Sequence, residues 1–185
     1  MMNQEIPITL ALETERLLIR APQQGDAATL REAIAKSLEE LRVWMPWAKS
    51  VPTLEDSVES CNNAVTAFSA GTDHRLHIFL KGTETLIGCS GMHDIDWAVP
   101  SVEIGYWLCT LYTGKGYMTE AVREITRYAA EELNMNRVEI RMSADNARSK
   151  AVPERLGFNH EGTLRNHARH MDGSLRDTCV FAWTR

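Results

Sequence analysis

Apolar residues recur along the chain in two rhythms, one close to the helical period and one of two. "RLLIRA" (16–21) is a short apolar run suited to a buried first strand, and Asp26 stands where it can cap a helix reaching about Lys36. A second helical stretch, 38–45, runs into "WMPWA", where Pro46 interrupts it because proline has no N–H to continue the ladder. A third helix, 55–70, opens on Glu55 and Asp56, acids that the helix dipole favours at that end. The rhythm then shortens. In "HRLHIFLK" (74–81) Leu76, Ile78 and Leu80 alternate with polar neighbours, "GT" at 82–83 marks a turn, and "TLIGCSGMHDIDW" (85–97) returns as the second arm of a hairpin. After Pro100, "SVEIGYWLC" puts Val102, Ile104, Tyr106 and Leu108 on one face and Glu103, Gly105 and Trp107 on the other.

Helical spacing resumes at Met118. Met118, Val122, Ile125 and Ala129 form a stripe suited to packing on a sheet, while Glu120, Arg123, Glu124, Arg127 and Glu131 face outward. "NMN" at 134–136 ends that helix and "RVEIRMS" (137–143) alternates as a strand. In "DNARSKAVPERLGF" (145–158) Asn146 and Ser149 are both plausible caps, and Pro153 fits only near a first turn, which favours a start at or near Ser149. Gly157 stops the helix, and "MDGSLRDTCVFAWT" (171–184) predicts a terminal hairpin turning near Asp172–Gly173. This succession of strands and helices is that of an α+β chain with a mixed, largely antiparallel sheet.

Composition narrows the class further. At 185 residues without repeat or linker, the chain reads as a single domain over 1–185. A net charge of −5 argues against nucleic acid as the main partner. The N-terminal segment has no basic region before an apolar run and no stretch approaches a membrane span, so a cytoplasmic protein without membrane contact is expected. Cys61, Cys89, Cys109 and Cys179 stand far apart, as reduced thiols do. His74/His77 and His167/His170 put their rings on opposite faces of a strand, which suits surface or core histidines better than a metal site.

"LYTGKGYMTEAV" (111–122) carries the first chemical signal. Glycines around Lys115 at the start of a helix can bring backbone N–H groups up to an anion, or they can be a simple turn. Gly114 and Gly116 lack the third glycine of a dinucleotide fingerprint, and Lys115 is followed by Gly116 rather than the Ser or Thr of a Walker loop.

Three segments, "EIGYWL" (103–108), "YTGKGYMTEA" (112–121) and "NARSKAVPERLGF" (146–158), together with the element order, resemble the GCN5-related N-acetyltransferases, and among them the branch acting on N-termini of ribosomal proteins. The resemblance implies that fold, with about seven strands and helices on both faces, and acetyl-CoA as co-substrate. It places the diphosphate at Gly114, Lys115, Gly116, Tyr117, Met118 and Thr119, the pantetheine and acetyl oxygen along Trp107 and Leu108, and Asn146 and Ser149 on the far wall. Many relatives carry a tyrosine acid where this chain has Pro153, and proline has no proton to give.

An α-amino group of pKa ~7.7–8.0 is roughly a tenth neutral at pH 7, whereas a lysine near ~10.4 is neutral in fewer than about one molecule in a thousand. A protein N-terminus therefore asks less of a base than a lysine does. Glu103 is the candidate proton acceptor, against a surface acid in an ion pair, and Ser149 the candidate donor to the leaving sulfur, against a helix cap. Cys109 reads as a small core residue. Trp44 and Trp47 resemble the family's aromatic lip over the acceptor, and Met92 and His93 are expected to reach the same cleft. Three readings follow: acetylation of a protein N-terminus, acetylation of a small amine such as a polyamine, amino acid or aminoglycoside, or an acyl-CoA sensor without transfer. A homodimer stays open.

Overall fold

Strand and helix rhythms sort onto one mixed sheet. The computed structural model describes residues 5–185, so the first four residues of the N-terminal segment and of the expected domain lie outside the described residues. Its elements are β1 (Ala11–Glu13), β2 (Leu17–Arg20), α1 (Ala27–Ala35), α2 (Leu38–Trp44), α3 (Leu54–Ser69), β3 (His74–Leu80), β4 (Leu86–Asp96), β5 (Ser101–Leu108), α4 (Tyr117–Glu131), β6 (Arg137–Ser143), α5 (Ala147–Arg155), β7 (Asn159–Arg169) and β8 (Leu175–Thr184). The eight strands lie in the order β1-β2-β3-β4-β5-β6-β8-β7. All neighbours are antiparallel except β5 and β6. The strand beyond the expected seven is β1, whose three residues are too few for alternation to show; it pairs Leu12 with Ile19.

Alternation in the strands decides which helix each residue meets. Val102 and Ile104 of β5, with Val138 and Ile140 of β6, pack against the α4 stripe Met118, Val122, Ile125 and Ala129. Each fully buried Val or Ile there stabilises the fold by about 1.5–3 kcal/mol. The opposite face carries Phe79, Cys89 and Trp107 beneath Leu30, Ile34 and Leu41 of α1 and α2. Cys109 lies in that second cluster, 1% exposed. His74 packs edge-on against Phe68, and buried His77 pairs through Nδ1 with Asp26 at 2.8 Å.

Three local expectations are corrected and one is met. Asp26 occupies the N-cap position of α1 but makes no cap bond; its carboxylate accepts from Arg20, His77 and the Gln23 N–H. Glu120 does not face outward, because Thr14 and Arg16 bind its carboxylate. The terminal hairpin turning at Asp172–Gly173 is present as expected, with β7 and β8 as its arms. Finally, α5 starts at Ala147 and not at Ser149. Asn146 is its cap, accepting the Ser149 N–H at 3.1 Å, so Pro153 sits seventh in the helix rather than in its first turn.

One break in the sheet positions the site. Parallel pairing of β5 with β6 holds only over Ser101–Glu103 against Arg137–Glu139. Beyond it, β5 stays with β4 as far as Leu108, and β6 stays with β8 as far as Ser143. The two halves of the sheet therefore part after Glu103 and Glu139, leaving one edge of β5 without its ladder.

Candidate active site

Two clefts open from this parting and meet at Tyr106, Trp107, Asn146 and Ser149, which line both. The first, about 1130 Å³, runs toward the glycine loop. Gly114 and Gly116 take φ of 74° and 81°, left-handed values that favour glycine. Gly116 stands at the N-cap of α4 with no side-chain cap, so the first-turn N–H groups at Tyr117, Met118 and Thr119 are directed at the cleft those residues line. This is a cradle for an anion, and it fits the diphosphate of a coenzyme. Trp107 and Leu108 line the same cleft. Lys115 does not line it: its ammonium donates to the Leu111 carbonyl at 3.1 Å.

A brace that the sequence did not reveal holds the loop from behind. Arg16 donates to Glu120 at 2.7 Å and to the Lys115 carbonyl at 3.1 Å, and lies 4.5 Å from the Tyr117 ring centre. Burial raises the proton affinity of Glu120, but Thr14 and Arg16 outweigh it and hold the carboxyl below the usual range. The acid next to the anion cradle is thereby neutralised within the protein.

At the junction, the misplaced proline acquires a purpose. Pro153 has no N–H for the carbonyl of Ser149, four residues back, and the Tyr106 hydroxyl donates to that carbonyl at 2.8 Å. Ser149 Oγ lies 3.4 Å from the Tyr106 oxygen. Burial pushes the Tyr106 hydroxyl well above its ordinary pKa, so it stays protonated. A proline deep in a helix leaves an orphan carbonyl; that was the signal from which Tyr106 could have been found.

The second cleft, about 750 Å³, lies on the Glu103 side of the parting. Burial raises the proton affinity of Glu103, and Arg141, with Nε 3.5 Å from Oε2, partly offsets this. His93 is the cross-strand partner of Glu103, and its ring lies over Gly91 and Gly105, where Cβ atoms would sit 2.8 and 3.4 Å from Nε2. Asp73 Oδ1 is 3.2 Å from His93 Nδ1. Trp44 lines both clefts and Trp47 the second, its ring centre 6.0 Å from that of Trp107. Met92 is corrected. It pairs with Ile104, faces the α4 core and is fully buried, because neighbours in a strand point to opposite faces. Cys89 also lines this cleft, but burial pushes its thiol up to about 12, which removes it as a thiolate nucleophile at neutral pH.

The model of the acetyltransferase (GNAT) domain matches residues 16–159. This chain belongs to the GNAT acetyltransferase family. A protein of Bacillus subtilis (strain 168) named "Putative ribosomal N-acetyltransferase YdaF" is 33% identical over 175 residues and 91% of each chain. The ribosomal-protein-serine acetyltransferase of Escherichia coli (strain K12) is 26% identical over 91% of this chain and 93% of that one. RimL, the ribosomal L7/L12 α-N-protein acetyltransferase solved in complex with coenzyme A, shares the fold with a TM-score of 0.86 at 20% identity, covering 95% of this chain and 98% of its own. The GNAT protein described here is an enzyme that transfers acetyl groups, and no helix among its described residues is long and apolar enough to cross a membrane.

Proposed function

We propose that the enzyme acetylates the free α-amino group of a protein, a ribosomal protein being the acceptor class named for its relatives, with acetyl-CoA as donor. The observation that carries this reading is Glu103: a part-buried carboxylate of raised proton affinity, where the sheet parts, with the anion cradle on the other side of the junction.

Acetyl-CoA, when bound, supplies the acetyl group as an activated thioester. Gly114, Gly116 and the first turn of α4 would hold its diphosphate, and the unladdered edge of β5 at Trp107 and Leu108 would face its amide-bearing arm and acetyl oxygen. Glu103 takes the proton of the incoming amine, directly or through one water. An acceptor already about a tenth neutral at pH 7 needs no stronger base. Ser149 offers its hydroxyl to the departing sulfur. Tyr106 fixes the backbone that carries Ser149, since its own proton is committed to the Ser149 carbonyl.

Thiol release from acetyl-CoA tests the reading across peptides with free N-termini, the same peptides blocked, a polyamine, an amino acid and an aminoglycoside. Turnover confined to unblocked peptides is expected. Faster turnover of a small amine would replace the protein acceptor, and coenzyme binding without turnover of any amine would leave a sensor.

A further inference from the structure

The acceptor cleft has one wall that this chemistry leaves unused. On β6 and β8, beyond Arg141, Ser143 stands opposite Thr178, and Arg176 lies two residues further along β8, about 6.8 Å of strand. Ser143 is 4% exposed, and its Oγ is buried with no hydrogen-bond partner. Arg176 is part-buried and its Nε is enclosed without a partner. Among the described residues no carboxylate lies within ion-pairing distance of it. Its neighbour Asp177 accepts the Asn166 N–H at 2.8 Å instead, and the Thr178 hydroxyl is 3.2 Å from His167 Nδ1. Part-buried charges and buried hydroxyls are ordinarily paired, because desolvating them alone is costly. A guanidinium and a hydroxyl sharing one cleft wall, both with donors to spare, suit an oxyanion.

We propose that Arg176 and Ser143 form a subsite for a carboxylate on the acceptor, so that the enzyme favours peptides with Asp or Glu at the second or third residue. The proposal rests on the reading of Glu103 for where the amine sits. Arg141, which touches Glu103, precedes Ser143 by two residues, so the subsite lies one to two such two-residue steps beyond Arg141. The carboxylate of a free amino acid is only about one residue length, ~3.4 Å, from its own amine, whereas a side chain on the second or third residue spans the gap. The opposite end of the cleft holds Asp73 beside His93, with Arg75 donating to Ser60 at 3.2 Å.

Hexapeptides identical except for Glu, Gln or Lys at positions two and three are compared by kcat/KM, beside free glutamate. The Glu peptide should exceed the Gln peptide by about tenfold or more, as a charge-assisted bond implies, and the Lys peptide should be poorest. Arg176→Gln should bring the Glu-to-Gln ratio near one, and Arg176→Lys should restore part of it. Equal rates for the Glu and Gln peptides, or a ratio that survives Arg176→Gln, would overturn the subsite. Free glutamate turned over in preference to every peptide would overturn the peptide as the source of the carboxylate. Calorimetric binding of the same peptides in the presence of coenzyme A gives the answer without turnover. A Glu preference in binding without acetylation would keep the subsite while removing the transfer reading.

Discussion

The two clefts that meet at Tyr106 are built from different materials. The side proposed for the coenzyme is made of backbone: two left-handed glycines, an uncapped helix start and a strand edge, with Glu120 of that helix neutralised by Arg16. The side proposed for the acceptor is made of side chains, Glu103, His93, Asp73 and Arg176, the last of which keeps unused hydrogen-bonding capacity. A backbone cradle suits a ligand that never changes. A wall of side chains suits one that selection can exchange, and it is where relatives of one fold can differ in acceptor.

Changes on each side should therefore fail differently. The largest effect is expected from Gly116→Val: a β-branched residue at φ 81° is strained whatever the space, so calorimetry on the folded variant should show acetyl-CoA binding lost. Unchanged affinity would remove the loop assignment. Glu103→Gln should leave coenzyme binding intact and lower kcat by about 10²–10⁴-fold, most strongly below pH 8 where the amine is protonated. A deficit equal at pH 6.5 and pH 9.5 would make Glu103 structural.

The junction should respond to both sides more mildly. Because Asn146 caps α5, Ser149→Ala removes a donor without removing a cap, and kcat should fall about tenfold, one neutral hydrogen bond's worth, with little change in Tm. Asn146→Ala should instead cost about 0.5–2 kcal/mol of stability, read as a lower Tm. Interchanged phenotypes would reverse the two roles. The smallest effect concerns pH. Arg141 lowers the proton affinity that burial raises at Glu103, so Arg141→Met should move the acid limb of kcat/KM to higher pH. No movement, or movement downward, would mean that another group sets that limb.

The same contrast explains what the chain betrayed before it was folded. Gly114, Gly116 and the α4 stripe act through local backbone geometry and a 3.6-residue period, so both were legible in order along the sequence. The face of β5 carrying Glu103 was legible too, because alternation has only two answers. That rule also excludes Met92 from the cleft of His93. The Arg16–Glu120 brace joins residues 104 apart in the chain, and Arg176 reaches the cleft only because β8 lies beside β6; neither has a local signature. The α5 boundary departs from the expected one for a related reason. Proline is disfavoured in a helix interior, but here Tyr106 serves the carbonyl that Pro153 leaves unpaired.

The claim at the centre of this account is that the enzyme acts on an α-amine, using a carboxylate base of modest strength. It is tested most directly by one acidic peptide carrying both a free N-terminus and an internal lysine, incubated with acetyl-CoA at pH 7 and sequenced by mass spectrometry. The account predicts a single acetyl group on the α-amine and an unmodified lysine. Acetyl on the lysine side chain, with the N-terminus free, would contradict it.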